Sequence, residues 1–248
     1  MSIKQFPGGV IRGTPVVPTS SAATGIWTLD QATAAIKAGT WPLPLPPGAP
    51  GVIGIAYAGG FYAGQISTTA NGVATHNLVI GPVSSGENAS KKYKNANTAV
   101  PGADSVIDGP QNTADMVANG SSTVYPAAHF CNDLSIGGFS DWYMPAQNEL
   151  EVCYYNLKPT TASNNTSSGT NTNAVPSRGS NYTAGTPAQT SAADFQSTGA
   201  EDFTAAYYWS STENSATDAW IQLFTNGNQY SHGKNYTFPV RCVRRVAI

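Results

Sequence analysis

The stretch Ala219-Trp-Ile-Gln-Leu-Phe-Thr-Asn-Gly-Asn-Gln-Tyr-Ser-His-Gly-Lys234 decides how this sequence folds. Trp220, Gln222 and Phe224 alternate with Ile221 and Leu223, the two-residue period of a strand whose side chains point to opposite faces. Asn226-Gly227 is the dipeptide of a tight primed hairpin turn, because both residues tolerate positive φ. The return strand then carries Asn228, Gln229, Tyr230, Ser231 and His232. After Gly233, the run Phe238–Val246 predicts a closing strand. One side of this hairpin, led by Trp220, is bulky and fixed. The other offers aliphatic, amide, hydroxyl and aromatic groups, a mixture suited to recognition rather than reaction.

Working outward, 248 residues are enough to bury a sizeable core. Charged residues make up only 10% of them, against roughly 25% in an average soluble protein. Ser, Thr, Asn and Gly take their place, as in β-rich extracellular or virion proteins. The net charge is −2, and Lys91, Lys92, Lys94, Arg241, Arg244 and Arg245 are too few for a nucleic-acid footprint. Cys131, Cys153 and Cys242 are odd in number and have no Cys-x-x-Cys spacing, so they read as buried free thiols. His76, His129 and His232 lack metal-ligand spacing, and no metal or other cofactor is expected. No apolar run approaches the length of a membrane span. Met1-Ser-Ile-Lys-Gln-Phe-Pro-Gly-Gly lacks the apolar segment of a secretion signal, so the expectation is synthesis in a cytoplasm.

Residues 1–24 are Pro/Thr/Ser-rich and read as an extended arm. Thr28 with Gln31 makes a capping-box pattern and Gly39 a stop, predicting a helix over Leu29–Ala38. Trp41–Pro50 reads as a polyproline linker, dividing the chain into an arm over 1–50 and a globular domain over 51–248. The domain opens with two short strands around Gly59-Gly60 and a hairpin-like segment over 72–82. Residues 84–122 read as ordered polar loops with little regular structure. Tyr125–Leu134 predicts a short helix with Pro126 in its first turn. A second helix starts at Pro145, buries Leu150, Cys153, Tyr154 and Leu157 at 3–4 spacing, and ends at Pro159. Residues 160–200 form a long Thr/Ser/Asn/Gly excursion. The fold class is α+β, with short strands, two or three short helices and long ordered loops.

Asp141, Glu149 and Glu151 invite a paired-acid reading of the kind used in glycoside cleavage. Asp141, however, sits where a carboxylate meets the start of a helix. Glu149 and Glu151 are two residues apart on a helix and cannot face each other. No catalytic residue is assigned. Arg244, on the same face as Val240 and Cys242, is expected to pair with a buried carboxylate, Glu149 or Asp141. Trp209 and Trp220 read as core.

Gly137-Gly-Phe-Ser-Asp-Trp-Tyr-Met-Pro-Ala-Gln-Asn-Glu-Leu150, Tyr208-Trp-Ser-Ser-Thr-Glu213, Ala219-Trp-Ile-Gln-Leu-Phe224 and Val240-Arg-Cys-Val-Arg-Arg245 together resemble the Lcl C-terminal-domain-like family. The resemblance covers roughly 51–246. It implies a C-type-lectin-like fold, frequent in bacteriophage tail proteins and bacterial surface proteins and related to phage receptor-binding proteins such as the major tropism determinant. It makes Asp141, Trp142, Pro145, Glu149, Trp209, Trp220, Phe224 and Arg244 structural. Ile221, Leu223, Thr225, Asn226, Asn228, Tyr230, Ser231, His232, Asn235, Tyr236 and Thr237 become display positions, with Tyr giving rigid area and Asn and Ser adaptable hydrogen bonds.

The implied function is a phage virion protein, of the tail fibre or tail tip. It would dock on other virion proteins through residues 1–50 and bind a host-surface glycan or protein. A homo-oligomer such as a trimer fits that role without membrane insertion or nucleic acid. The competing expectations are a capsid or tail decoration protein and an enzyme acting on surface polysaccharide. The motifs of calcium-dependent sugar binding are absent, and the formylglycine-generating enzyme of the same fold relies on a cysteine pair not matched here.

Overall fold

The computed structural model describes residues 50–248. The expected arm, the Leu29–Ala38 helix and the Pro-rich run up to Ala49 lie outside the described residues. The strands are β1 (Ala56–Tyr57), β2 (Gly60–Ile66), β3 (His76–Ile80), β4 (Glu87–Lys92), β5 (Ala174–Val175), β6 (Tyr207–Glu213), β7 (Asp218–Leu223), β8 (Gln229–Gly233), β9 (Thr237–Arg241) and β10 (Val243–Ala247). The helices are α1 (Val83–Gly86), α2 (Gly109–Asn119), α3 (Pro126–Asn132) and α4 (Gln147–Leu157). They make a mixed α+β domain with three antiparallel sheets, ordered β1-β2-β3-β10 with β5 beside β2, then β4-β9, then β6-β7-β8.

The α4 stripe is as the spacing predicts, with Leu150, Cys153, Tyr154 and Leu157 all at 1% exposure or less. Each of the two leucines stabilises the fold by roughly 1.5–3 kcal/mol. The helix lies so close to β2 that position 64 must be glycine. Gly64 has φ +125°, and a Cβ there would meet the Asn156 amide and Val152. Asn156 Nδ2 closes the contact by donating to Ala63 O at 2.7 Å.

Three expectations are corrected. Residues 84–122 are not all loop, since they hold β4 and the 11-residue helix α2. Asp108 caps α2 by accepting from Gln111 N, and Pro110 lies in its first turn. The closing run 238–246 is two strands, not one, with β9 beside β4 and β10 beside β3. Cys242 is the step between the sheets: its N–H donates to Gly86 O at 2.8 Å and its carbonyl accepts from Gly81 N at 2.9 Å. The helix after Pro145 begins at Gln147, and its cap is Glu149, which accepts from Ala146 N at 2.8 Å.

Asp141 therefore does not cap a helix. It takes a two-pronged bond from Arg244, Nε at 2.7 Å and Nη2 at 2.8 Å, while remaining 55% exposed. The fully buried partner is Glu149, and it belongs to Arg245, whose Nε donates at 2.8 Å, and to Tyr143, whose hydroxyl donates at 2.5 Å. The Arg244 hydrogen bonds hold the Asp141 carboxyl below its usual range. A lowered acid contributes stability above its unfolded value, roughly 3.9, and loses it as pH falls through the folded one. A carboxyl NMR titration should find Asp141 below that ordinary value, and Arg244→Gln should return it there. An Asp141 already at the ordinary value in the unchanged protein would refute the pairing.

Burial pushes the Glu151 carboxyl up and Arg178 draws it back. This fully buried acid accepts from Arg178 Nη2, Tyr182 OH (2.7 Å) and Asn171 Nδ2 (2.5 Å). Arg178 also lies over the Tyr155 ring, 3.9 Å from its centroid. This carboxylate thus ties the excursion 160–200 to α4, together with Tyr154 OH donating to Asn164 Oδ1 at 2.6 Å and Asn148 Nδ2 donating to Asn173 Oδ1 at 2.8 Å, and the stretch has little regular structure.

Candidate functional site

The sheet β6-β7-β8 carries the positions expected to display. Trp209 pairs with Ile221 and Ile221 with Tyr230, so these three share one face; Ala219 and His232 share it too. Tyr208, Gln222 and Gln229 lie on the other face, with Trp220 and Ser231. The two faces are not the fixed and free sides expected. Ile221 is 2% exposed and packs in the core beside Trp209 and Val240, so it displays nothing. Trp220, read as core, is only half-buried. Gln222 is buried from the opposite side, where its Nε2 donates to Tyr182 OH at 3.2 Å. Phe224 and Trp209 are both fully buried, as expected. Phe224 stacks on Phe203 with ring centroids 3.8 Å apart.

The β7–β8 connection is longer than a two-residue primed turn. Leu223 N donates to Asn228 O at 2.9 Å, enclosing residues 224–227, and only Gly227 has positive φ, +77°. The turn is held by the excursion: Thr160 Oγ1 donates to Thr225 O at 2.6 Å and Asn165 N to Asn226 O at 2.8 Å. Asn228 Nδ2 donates to Tyr207 OH at 3.1 Å. Leu223, Thr225 and Asn226 are half-buried, and Asn228 is drawn inward with them by these bonds.

What faces solvent is Tyr230 (58% exposed) and Tyr236 (57%), with Asn235 and Thr237 exposed and Ser231 and His232 half-buried between them. Tyr230 shares its face with buried residues yet is exposed because β8 is the outermost strand. Tyr236 stands on a rigid aromatic series. His232 lies 4.2 Å from it, Phe238 lies 5.2 Å from His232, and Trp209 lies 5.0 Å from Phe238. Edge-to-face rings of this kind add to burial and fix orientation.

Sequence reasoning missed the residue that assembles this face. Lys234, in a polar stretch, carries no sequence signal for burial, yet it is fully buried. Its Nζ donates to Glu213 Oε1 (2.6 Å), Ala216 O (2.7 Å), Ser215 O (2.9 Å) and Thr98 O (3.0 Å). Burial pulls its pKa down and Glu213 opposes that. Glu213 in turn accepts from Val100 N at 2.9 Å. One ammonium therefore clamps three surface loops, 94–99, 214–217 and 234–236. Asn97 Oδ1 accepts from Asn235 N at 3.0 Å and completes the joint.

Cys131, Cys153 and Cys242 are free and buried. Burial pushes the Cys242 thiol up to about 12 and the Cys131 thiol well above its usual value. Glu149 and Glu151 are engaged in separate ion pairs. Among the described residues, no group of three or more His, Cys, Asp or Glu is placed to hold a metal ion, and no helix is long and apolar enough to cross a membrane.

The molecule is thus a mixed α+β domain whose loops are joined by buried polar hubs, and its sequence matches the Lcl C-terminal domain over residues 94–244, more than half of the chain. The chain belongs to the Lcl C-terminal domain family. No curated protein matches it. Among solved structures it is similar to a fimbrial protein from Bacteroides ovatus ATCC 8483, at 17% identity and a TM-score of 0.40. That similarity covers 71% of this chain, which spans 36% of the other.

Proposed function

We propose that this chain is a bacteriophage virion protein of the tail fibre or tail tip, and that a C-type-lectin-like domain binds a receptor on the host surface without chemical conversion. The observation that carries the reading is the pair of exposed tyrosines, Tyr230 and Tyr236, standing on a rigid sheet beside three clamped loops rich in Asn, Ser and Thr. Tyr supplies contact area at low entropic cost, and a pre-ordered loop avoids the ordering penalty of association. The low charge and the family membership support the same reading. Residues 1–50 would attach the domain to neighbouring virion proteins as an oligomer, and many copies would multiply a weak single-site affinity.

The test is adsorption of the purified full chain to host cells. Tyr230→Ala with Tyr236→Ala should weaken binding by about 2–4 kcal/mol, the range of aromatic anchors. The unfolding midpoint should fall only slightly, because both rings are more than half exposed and Tyr236 gives up a single edge contact with His232. Wild-type adsorption by the double variant would sink this placement of the site. A face covered by neighbouring subunits in the assembled particle would instead favour a decoration role.

A further inference from the structure

The chain contains Asn-Gly at three places, Asn71-Gly72, Asn119-Gly120 and Asn226-Gly227. Asn-Gly is the dipeptide most open to ring closure, because glycine puts no side chain in the way of its own nitrogen. The fold treats the three very differently. Asn226-Gly227 is locked: the Gly227 N–H donates to Leu223 O at 2.7 Å, and the residue is packed under the rings of Tyr154 and Tyr182. Asn119 lies in the last turn of α2, where helical backbone holds the side chain away from the next nitrogen. Its Nδ2 is held by Asp115 O at 2.7 Å and Pro101 O at 3.4 Å.

Asn71-Gly72 sits in the exposed β2–β3 connection, Gly72 at φ +77° with nothing within 4 Å of where a Cβ would be. Among the described residues, the Gly72 N–H meets no acceptor and the Asn71 Nδ2 has no partner, so the nucleophile and the leaving group are both free. The Asn71 Oδ1, by contrast, accepts two bonds, from Val73 N at 2.9 Å and from Ser67 Oγ at 3.0 Å. Two donors on that oxygen polarise the amide carbon and stabilise the oxyanion formed when it is attacked.

We infer that Asn71 is the site of a spontaneous, fold-selected deamidation in this protein. The Gly72 nitrogen gives up its proton and bonds to Asn71 Cγ. The Cγ–Nδ2 bond breaks, and Nδ2 leaves as ammonia with that proton, closing a five-membered imide. Water then opens the ring at one of its two carbonyls, giving aspartate or isoaspartate; no oxidant, reductant or cofactor takes part. The product adds one negative charge to a chain of net charge −2 and puts an acid in the β2–β3 connection. The same dipeptide in the β7–β8 turn is spared, so the proposed recognition face outlasts the change. This inference is independent of the function proposed above.

The experiment is peptide mapping by mass spectrometry of the full chain aged in mildly alkaline buffer made with heavy-oxygen water. A parallel sample is aged in denaturant. In the native sample the Asn71 peptide should gain the acid mass and the heavy label about tenfold or more faster than the Asn119 and Asn226 peptides, whose reaction requires local opening. In denaturant the three rates should converge. Asn71→Gln, which cannot close the five-membered ring, should abolish the signal at that peptide and leave the other two unchanged. Native conversion at Asn71 that is absent, or no faster than at the other two sites, overturns the inference.

Discussion

Replacing Glu151 by alanine is expected to cost the domain about 3–5 kcal/mol, the range for removing one partner of a buried ion pair. The carboxylate is fully buried and serves Arg178, Tyr182 and Asn171 together. Without it the Arg178 guanidinium is left among protein atoms with no counter-charge, and the Tyr182 hydroxyl keeps only its bond from Gln222. The loss should be local before it is global. Amides in 164–190 should lose exchange protection first, because Asn171 and Tyr182 anchor that stretch to α4. Glu151→Gln keeps an acceptor but no charge, and should fall between the two. Denaturant unfolding with hydrogen exchange measures both effects. A Glu151→Ala variant within about 1 kcal/mol of the parent would place this network among those exposed pairs that contribute little.

Lys234→Met is the second large effect. Methionine keeps most of the aliphatic stem and removes the ammonium, so the carbonyls of Thr98, Ser215 and Ala216 and the Glu213 carboxylate lose their common donor. Leaving the Glu213 carboxylate without its counter-charge and the Ser215 and Ala216 carbonyls without this donor costs about 3–5 kcal/mol. Unlike the tyrosine variants, this one should lower stability and host-cell adsorption together, since Tyr236 stands two residues from the clamp. Arginine is no rescue, because a planar fork does not fit a fully buried site shaped for a compact ammonium. Unchanged stability with unchanged loop protection would show that the three loops hold themselves.

Much of the domain was legible because its signals are local. The α4 stripe, the start of α3 at Pro126, the buried cysteines and the core role of Trp209 each follow from spacing or residue type over a few positions. The helix α2 was harder, because its buried residues include Asn112 and Thr113, and only Met116 gives an apolar mark. Asp108, Pro110 and Gly120 were the available signs. The alternation of β7 misled for a different reason. A period of two assigns faces only when one face is wet. Here the excursion covers Gln222 on one side while the core takes Ile221 on the other, leaving Trp220 at the less covered end. The arginines show the same limit: that Arg244 pairs with Asp141 and Arg245 with Glu149 depends on where β10 lands, 96 to 103 residues from those acids. Lys234 could not be read at all, since its partners come from three separate loops.

The division of the closing run into β9 and β10 bears on how the molecule is made. Strand β3 has β2 on one side and β10 on the other, so its second neighbour is supplied by residues 243–247. During synthesis that flank, with Leu78, Val79 and Ile80, stays open until those residues emerge. Folding this far along the chain is slow, because a long loop must close before the contacts reward it. A polypeptide interrupted before Val243 would therefore keep an unpaired, apolar strand edge, the feature that marks a product for aggregation or degradation. Residues 229–241, with β8 and β9, lie just ahead of the strand that completes the sheet, so a chain that closes the sheet carries them all.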